Sequence, residues 1–289
     1  MKLKASEFIV KPGREVSLKK TKTGVKPLYK TDADGDELLK EIQKDIAEHQ
    51  QRLYAQSTWA VLIVLQGMDT AGKDGLIKHV LKDVDPQGCS VTSFKKPSGE
   101  ELKHDFLWRT HTPMAVRGEI KVFNRSYYED VIVPYVMPEI LDSSRLPEKI
   151  RTSKNLLKDR CEDIVSHERY LANQGILVIK IFLHLSKKEQ KNRLLARFDD
   201  ASKNWKVEEA DITARGLWDK YQKAYEFCLS KTSHKAAPWY IIPADDKPTA
   251  RLIASKIITE KMAELNLDFP KLKSAEIKHL KSLRKRLKD

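Results

Sequence analysis

The 289-residue chain is 40% apolar and 33% charged, an ordinary globular balance with ample material for a core in one α/β domain or two small ones. Its 54 Lys and Arg against 41 Asp and Glu leave +13, a surplus that points to a polyanionic partner: nucleic acid, an anionic membrane or a phosphate polymer. No run reaches the ~18 apolar residues of a membrane span, the N-terminus has no apolar leader, and Cys89, Cys161 and Cys228 lack metal-ligand spacing, so a cytoplasmic protein with no membrane partner is expected.

Residues 1–32 carry Pro12, Gly13, Gly24, Pro27 and many lysines without periodicity, and read as an irregular basic arm. From Asp34 to about Gln56, Leu38, Leu39, Ile42, Ile46 and Leu53 recur at helical spacing and predict an amphipathic helix. Ala60-Val-Leu-Ile-Val-Leu-Gln66 is a buried-strand pattern running into Gly67-Met-Asp69-Thr-Ala71-Gly72-Lys73-Asp74-Gly75. Gly67 and Gly72 frame four residues and precede a lysine, the spacing of a loop whose backbone N–H groups wrap a phosphate, with a helix N-terminus aimed at the anion. Lys73 reaches the transferring phosphoryl group as a point charge. Asp74 stands where Ser or Thr would normally ligate magnesium, and Asp69 adds a second carboxylate. Two acids in such a loop repel phosphate unless metal ions sit between them, so a site for metal-laden phosphates is expected.

Leu76, Ile77, Val80 and Leu81 continue as a helix that stops before Pro86, and a strand is predicted at Val91–Phe94. Ser98 with Glu101 predicts a capping box opening a helix through Trp108. Lys95, Lys96, Arg109 and Arg117 are expected near strand ends, where a solvated basic rim is as good a reading as a phosphate contact. Glu119–Ser126 alternates as a strand whose last position is Asn124, followed by Glu129 and Asp130 about a turn later. Neighbouring-strand acids hold magnesium or its water in nucleotide-loop enzymes; a helix start enriched in acids is the plainer alternative.

A helix from about Asn155 to Asn173 leads into Ile176–Leu183, apolar almost throughout and therefore covered on both faces. Ser186 and Glu189 form a second capping box. The helix they open stacks Lys187 over Lys191 and Arg193 over Arg197, columns that repel unless an anion joins them. Trp205, Trp218, Tyr221, Tyr225 and Phe227 are expected on helices, as core more than as a stacking platform. Trp239–Ile242 is a last strand, Pro243–Lys247 a loop, and a helix follows to about Leu265 before a basic amphipathic tail, Lys271–Lys288. Strands alternating with helices predict a parallel sheet with right-handed crossovers, ligands lying at the strands' carboxyl ends. The expected layout is a basic arm (1–32), one domain (33–268, with a lid at about 186–215) and a basic C-terminal helix (269–289).

Four ordered segments, Gly67–Gly75, Phe123–Asp130, Leu185–Asp200 and Ala237–Asp245, resemble the polyphosphate kinase 2 family in its single-domain form, over about residues 30–265. The resemblance implies a P-loop kinase fold, an α/β parallel sheet flanked by helices with a helical lid. It also implies magnesium as cofactor and reversible phosphoryl transfer between inorganic polyphosphate and AMP or ADP, with GMP and GDP as further candidates. It assigns Asp69, Lys73, Arg125, Glu129, Arg193 and Arg197 to catalysis, Gly67, Ala71, Gly72, Lys73, Asp74, Gly75 and Arg117 to phosphate binding, and Asp69 and Glu129 to the metal. Arg193 and Arg197 fall in a mobile lid. Members specialised for diphosphates often carry Asp in place of Asn124 and Asn in place of Glu129, so this chain resembles the subgroup that also accepts monophosphates. Lys247-Pro248-Thr249 lacks the aromatic residue expected after the lysine. A homo-oligomer and no nucleic-acid partner are expected. The competing readings are an ATP-dependent nucleotide kinase of the same fold and, less favoured, a nucleic-acid-binding P-loop protein.

Overall fold

The computed structural model describes residues 3–287; the first two residues of the basic arm and the last two of the basic tail lie outside it. Strand β1 (Ala60–Gly67) is buried along its whole length and pairs in parallel with β3 (Ile120–Asn124) on one side and β4 (Ile176–His184) on the other. With β2 (Cys89–Ser93) beyond β3 and β5 (Trp239–Pro243) beyond β4, the order is β2-β3-β1-β4-β5, all parallel. Parallel neighbours need long crossovers, so helices cover both faces. In chain order the helices are α1 (Asp32–Gln56), α2 (Lys73–Val80), α3 (Trp108–His111), α4 (Glu129–Val136), α5 (Glu148–Arg151) and α6 (Leu156–Asn173). They continue with α7 (Lys187–Phe198), α8 (Glu209–Gly216), α9 (Trp218–Thr232), α10 (Lys247–Ala263) and α11 (Ser274–Arg286).

The period-2 alternation of strands decides which face each side chain serves. Val61, Ile63 and Leu65 of β1 join Ile46 of α1, Leu76 of α2 and Ile253 and Ile257 of α10 in one core. Leu62 and Val64 join Val131 of α4, Ile164 of α6 and Leu229 of α9 in the other. The central strand thus packs on both sides, as its unbroken apolar run requires.

Element boundaries depart from expectation in two places. The strand predicted at Val91–Phe94 spans Cys89–Ser93 instead, Gly88 releasing the chain directly into pairing with Ile120. The helix expected through Trp108 is a short 3₁₀ segment, Gly99–Lys103, followed by a break and the single turn of α3. Glu101 does accept from the Ser98 N–H at 3.2 Å, so the cap forms without a long helix behind it. The described part of the arm lies against the sheet: Ile9 makes an antiparallel bridge to Tyr240, and Val10 N–H donates to the Trp239 carbonyl at 2.8 Å, covering the β5 edge. No helix among the described residues is long and apolar enough to cross a membrane.

Candidate active site

β1 delivers the chain to the carboxyl edge of the sheet at Gly67. There a Cβ would stand 2.9 Å from the Leu183 carbonyl oxygen, at a φ of 152° that L side chains rarely adopt. Gly72, at φ 107°, caps α2 with no side chain, leaving the first N–H groups of that helix open to an anion. Between them Thr70 holds φ 64°, a left-handed conformation uncommon for a β-branched residue and found where a loop's shape is fixed by use. Lys73 folds back, its Nζ donating to the carbonyls of Gly67 at 2.8 Å and Met68 at 3.3 Å. Burial first, and the Arg125 guanidinium second, push the Lys73 ammonium down to about 8.

Arg125, one residue past β3, also holds φ 64°, and its N–H is fixed on the Leu65 carbonyl at 3.0 Å. Its guanidinium donates to Asp69 at 2.5 Å and lies 3.8 Å from Glu129. Burial works against that charge, but Glu129 and Asp69 outweigh it and hold the guanidinium protonated. The Gln66 amide donates to Glu129 at 2.9 Å and accepts from the Ser126 N–H at 3.2 Å, tying the end of β1 to the start of α4. Asn124 donates to Asp74 at 2.7 Å, so the strand-end amide steadies the acid beside Lys73. Asp130 lies next to Glu129; burial pushes its carboxyl up to about 6 against the pull of Arg160 and Arg109. Gly67, Met68, Asp69, Arg125 and Glu129 line one pocket together with Val133, Ala214, Tyr221 and Tyr225.

Asp69 and Glu129 are hard oxygen donors facing one guanidinium, and no cluster of three His, Cys, Asp or Glu exists among the described residues. This donor set fits a small divalent cation that takes one or two carboxylates and completes its shell with water and substrate phosphates. The Thr70 hydroxyl, next along the chain from Asp69, is buried in the loop without a partner.

The two arginines of α7 differ. Arg193, 7% exposed, spends all five donors. Its Nε goes to Glu189 at 2.9 Å, Nη1 to the carbonyls of Thr70 and Ala71 at 3.1 and 3.0 Å, and Nη2 to those of Ala244 and Asp245 at 2.6 and 3.0 Å. It is a clamp between the phosphate loop and the loop after β5, with all its donors engaged by the protein. Arg197 instead bridges to Asp211 of α8 at 3.0 Å and to the Lys206 carbonyl at 3.1 Å. Acids and carbonyls therefore relieve the repulsion between Arg193 and Arg197. Glu189, occupied with Arg193, leaves the Ser186 N–H to Asp245 at 2.7 Å, while Ser186 Oγ accepts from the Glu189 N–H at 3.1 Å, so only half of that capping box forms.

Arg117 is a correction. It donates to the carbonyls of Thr58 and Gln174, which precede β1 and β4, so it sits at the amino edge, across the sheet from Lys73. Lys95 and Arg109 do lie past the carboxyl end of β2, where Arg109 donates to the Lys95 carbonyl at 2.6 Å. Tyr221 and Tyr225, read as core, line the pocket, while Trp205 is 76% exposed. The sequence reading missed Lys180 altogether. Wholly buried in β4, it donates to Glu168 at 2.6 Å, Tyr128 at 3.0 Å and the Thr232 carbonyl at 2.7 Å. Glu168 also accepts from the hydroxyls of Tyr127 and Tyr128 and from His234. Burial would raise Glu168, but Lys180 and the His234 bond prevail and keep it ionised. This network pins Tyr127-Tyr128, the residues between Arg125 and Glu129. Its one signal in the sequence was a lysine inside an otherwise apolar strand.

A family model described as "Polyphosphate kinase 2 (PPK2)" matches residues 29–270. The chain is 47% identical over 287 residues to an ADP-polyphosphate phosphotransferase from Rhodopseudomonas palustris, covering 99% of each. It is 39% identical over 242 residues to an AMP/ADP-polyphosphate phosphotransferase from Meiothermus ruber, covering 84% of this chain and 86% of that one. Its fold superposes on a crystal structure of polyphosphate kinase 2 from Arthrobacter aurescens TC1 with a TM-score of 0.85 at 37% identity, over 96% and 95% of the two chains.

Proposed function

The chain belongs to the polyphosphate kinase 2 family, and on that premise we propose that it moves a phosphoryl group reversibly between inorganic polyphosphate and AMP or ADP, with magnesium as its divalent metal. The observation that carries this reading is the convergence of Asp69, Arg125 and Glu129 on one pocket at the mouth of the Gly67–Gly75 loop.

Phosphoryl transfer asks a protein for in-line positioning and for compensation of charge on the equatorial oxygens. The open N–H groups at the start of α2 and the glycine backbone bind donor phosphates. Lys73 leaves its two carbonyl partners for the bridging oxygens, adding a phosphate to the Asp69, Glu129 and Asp74 carboxylates that already favour its buried ammonium. Arg125, held by both acids, stands where charge builds on the transferring group. Asp69 and Glu129 would hold magnesium, which when bound neutralises phosphate oxygens and aligns them. Met68, Val133, Tyr221 and Tyr225 give the acceptor nucleoside an apolar wall. Arg193 shapes the loop from behind, and Arg197 closes the lid formed by α7 and α8. Residues 33–268 act as the catalytic unit.

The acceptor test uses polyphosphate with AMP, ADP, GMP or GDP as substrates for the unaltered protein and for Glu129→Gln. AMP and ADP should both be phosphorylated, and Glu129→Gln should lose more kcat/KM with AMP than with ADP, because the shorter acceptor depends more on what fills the gap to the donor. Equal losses would make Glu129 a general ligand, and no AMP turnover by the unaltered protein would remove the monophosphate reading.

A further inference from the structure

The charge surplus is not spread over the molecule. Residues 1–31 hold nine Lys and Arg against two acids and residues 271–289 hold eight against two, which leaves 32–270 with thirty-seven of each and no net charge. A neutral body is a poor host for a long polyanion. The two basic segments also lie almost wholly outside the 29–270 match to the family.

Only one of them is placed at the active-site edge. Helix α10 begins there and runs 17 residues, about 25 Å, toward the opposite edge, so the tail leaves the body far from the phosphate loop. The arm does the reverse. His184, the last residue of β4, hydrogen-bonds the carbonyls of Leu18 and Thr21 at 3.1 and 3.2 Å. Asp245, past β5, donates its N–H to the Thr23 carbonyl at 2.9 Å and accepts from the Thr23 hydroxyl at 2.8 Å. The Tyr29 hydroxyl donates to Asp246 at 3.0 Å, at the start of α10. These main-chain and side-chain anchors lay residues 18–29 across the carboxyl ends of β4 and β5. One turn into α10, Arg251 reaches to within 3.8 Å of where a Gly75 Cβ would be, which joins that surface to the phosphate loop.

Lys19, Lys20, Lys22 and Lys26 are all exposed on this docked segment, and none takes part in an ion pair among the described residues. Nearby, Lys247 is lowered by burial and then by Arg193, with Glu189 pulling the other way and Arg251 and Lys203 adding to the fall.

We propose that the docked arm is a polyphosphate track, with Lys19, Lys20, Lys22 and Lys26 binding the length of chain that trails out of the phosphate loop and so setting a preference for long polymers. The track presupposes the polyphosphate reading above. A polymer whose end occupies the loop must lead its remaining phosphates over an adjoining surface, and the arm supplies four unpaired cations there. Exposed lysine contacts are individually weak and add along a regularly charged chain. Short oligophosphates end before they reach it.

The test compares the full chain with a Lys19→Gln, Lys20→Gln, Lys22→Gln, Lys26→Gln variant and with a control, Lys278→Gln, Lys281→Gln, Arg284→Gln, Lys285→Gln, that removes the same charge from α11. The arm variant should raise KM for long-chain polyphosphate about tenfold and that for a short oligophosphate less than about twofold, with a shallower salt dependence of binding. The control should match the unaltered protein. Equal shifts for both polymer lengths, no shift, or the same shift in the control would overturn the track. So would single-stranded RNA that displaces labelled long-chain polyphosphate as well as unlabelled polyphosphate does, since the arm would then be a nucleic-acid surface. Binding of the labelled polymer needs no turnover. A protein that makes no nucleotide from polyphosphate but loses polymer binding in the arm variant would sink the functional reading and leave the track standing.

Discussion

Lys73 is a cation held by its own loop, and its two carbonyl partners compensate only part of the cost of burying it. With its ammonium pushed down to about 8, the free enzyme loses the charge as pH climbs past that value. We therefore expect kcat/KM to fall on an alkaline limb near pH 8, measured as a pH profile, and Lys73→Arg to move the limb upward at a lower rate. Unfolding should show the linked sign: the folded protein binds fewer protons than the unfolded chain between about 8 and the ordinary lysine value, so stability rises across that interval. Asp130 is the acidic counterpart. Raised to about 6, it contributes stability that is complete below its unfolded value and lost as pH rises through about 6. Asp130→Asn should raise Tm near pH 7, and the difference should vanish near pH 4. The loop residues could be read from the sequence because glycine spacing encodes backbone geometry. Arg117 was misread although the sequence held the answer: a residue just before a parallel strand lies at the amino edge. Lys180 was not legible, because its partners Glu168, Tyr128 and His234 come from three distant segments.

At the scale of elements, β1, β3, β4 and β5 fall where their hydrophobic runs end, since a run buried on both faces has little freedom of register. Helix α7 was legible as a helix and not as a clamp. The sequence treats Arg193 and Arg197 as a pair one turn apart; packing sends one into the protein and the other across the lid. Arg193→Lys should cost about 2–3 kcal/mol and lower Tm by several degrees, because one ammonium cannot satisfy four carbonyls and a carboxylate. Arg197→Lys should lower kcat with little change in Tm. Thermal unfolding with steady-state rates separates them, and equal Tm losses would contradict the division of roles. Breaking the buried network by Lys180→Met should destabilise by about 3–5 kcal/mol, because the buried Glu168 keeps its bonds to Tyr127, Tyr128 and His234 but loses the lysine charge, with the loss read from denaturant unfolding.

Across the whole molecule, a neutral α/β body carries the pocket and two basic segments extend from it, one docked at the site's edge and one, α11, with no buried residue. The net charge announced a polyanion and could not say where it binds, because position depends on the arm's main-chain anchors to His184 and Asp245. The central claim is that the Gly67–Gly75 loop transfers phosphate from polyphosphate through Lys73. The most direct measurement is ATP formed from ADP and polyphosphate with magnesium and no nucleoside triphosphate, by the unaltered protein and by Lys73→Ala. We expect ATP from the unaltered protein and a loss on the order of 10³-fold in the variant with its fold intact. Formation of nucleotide only when ATP is the donor, or more than about a tenth of the rate surviving in Lys73→Ala, would contradict the account.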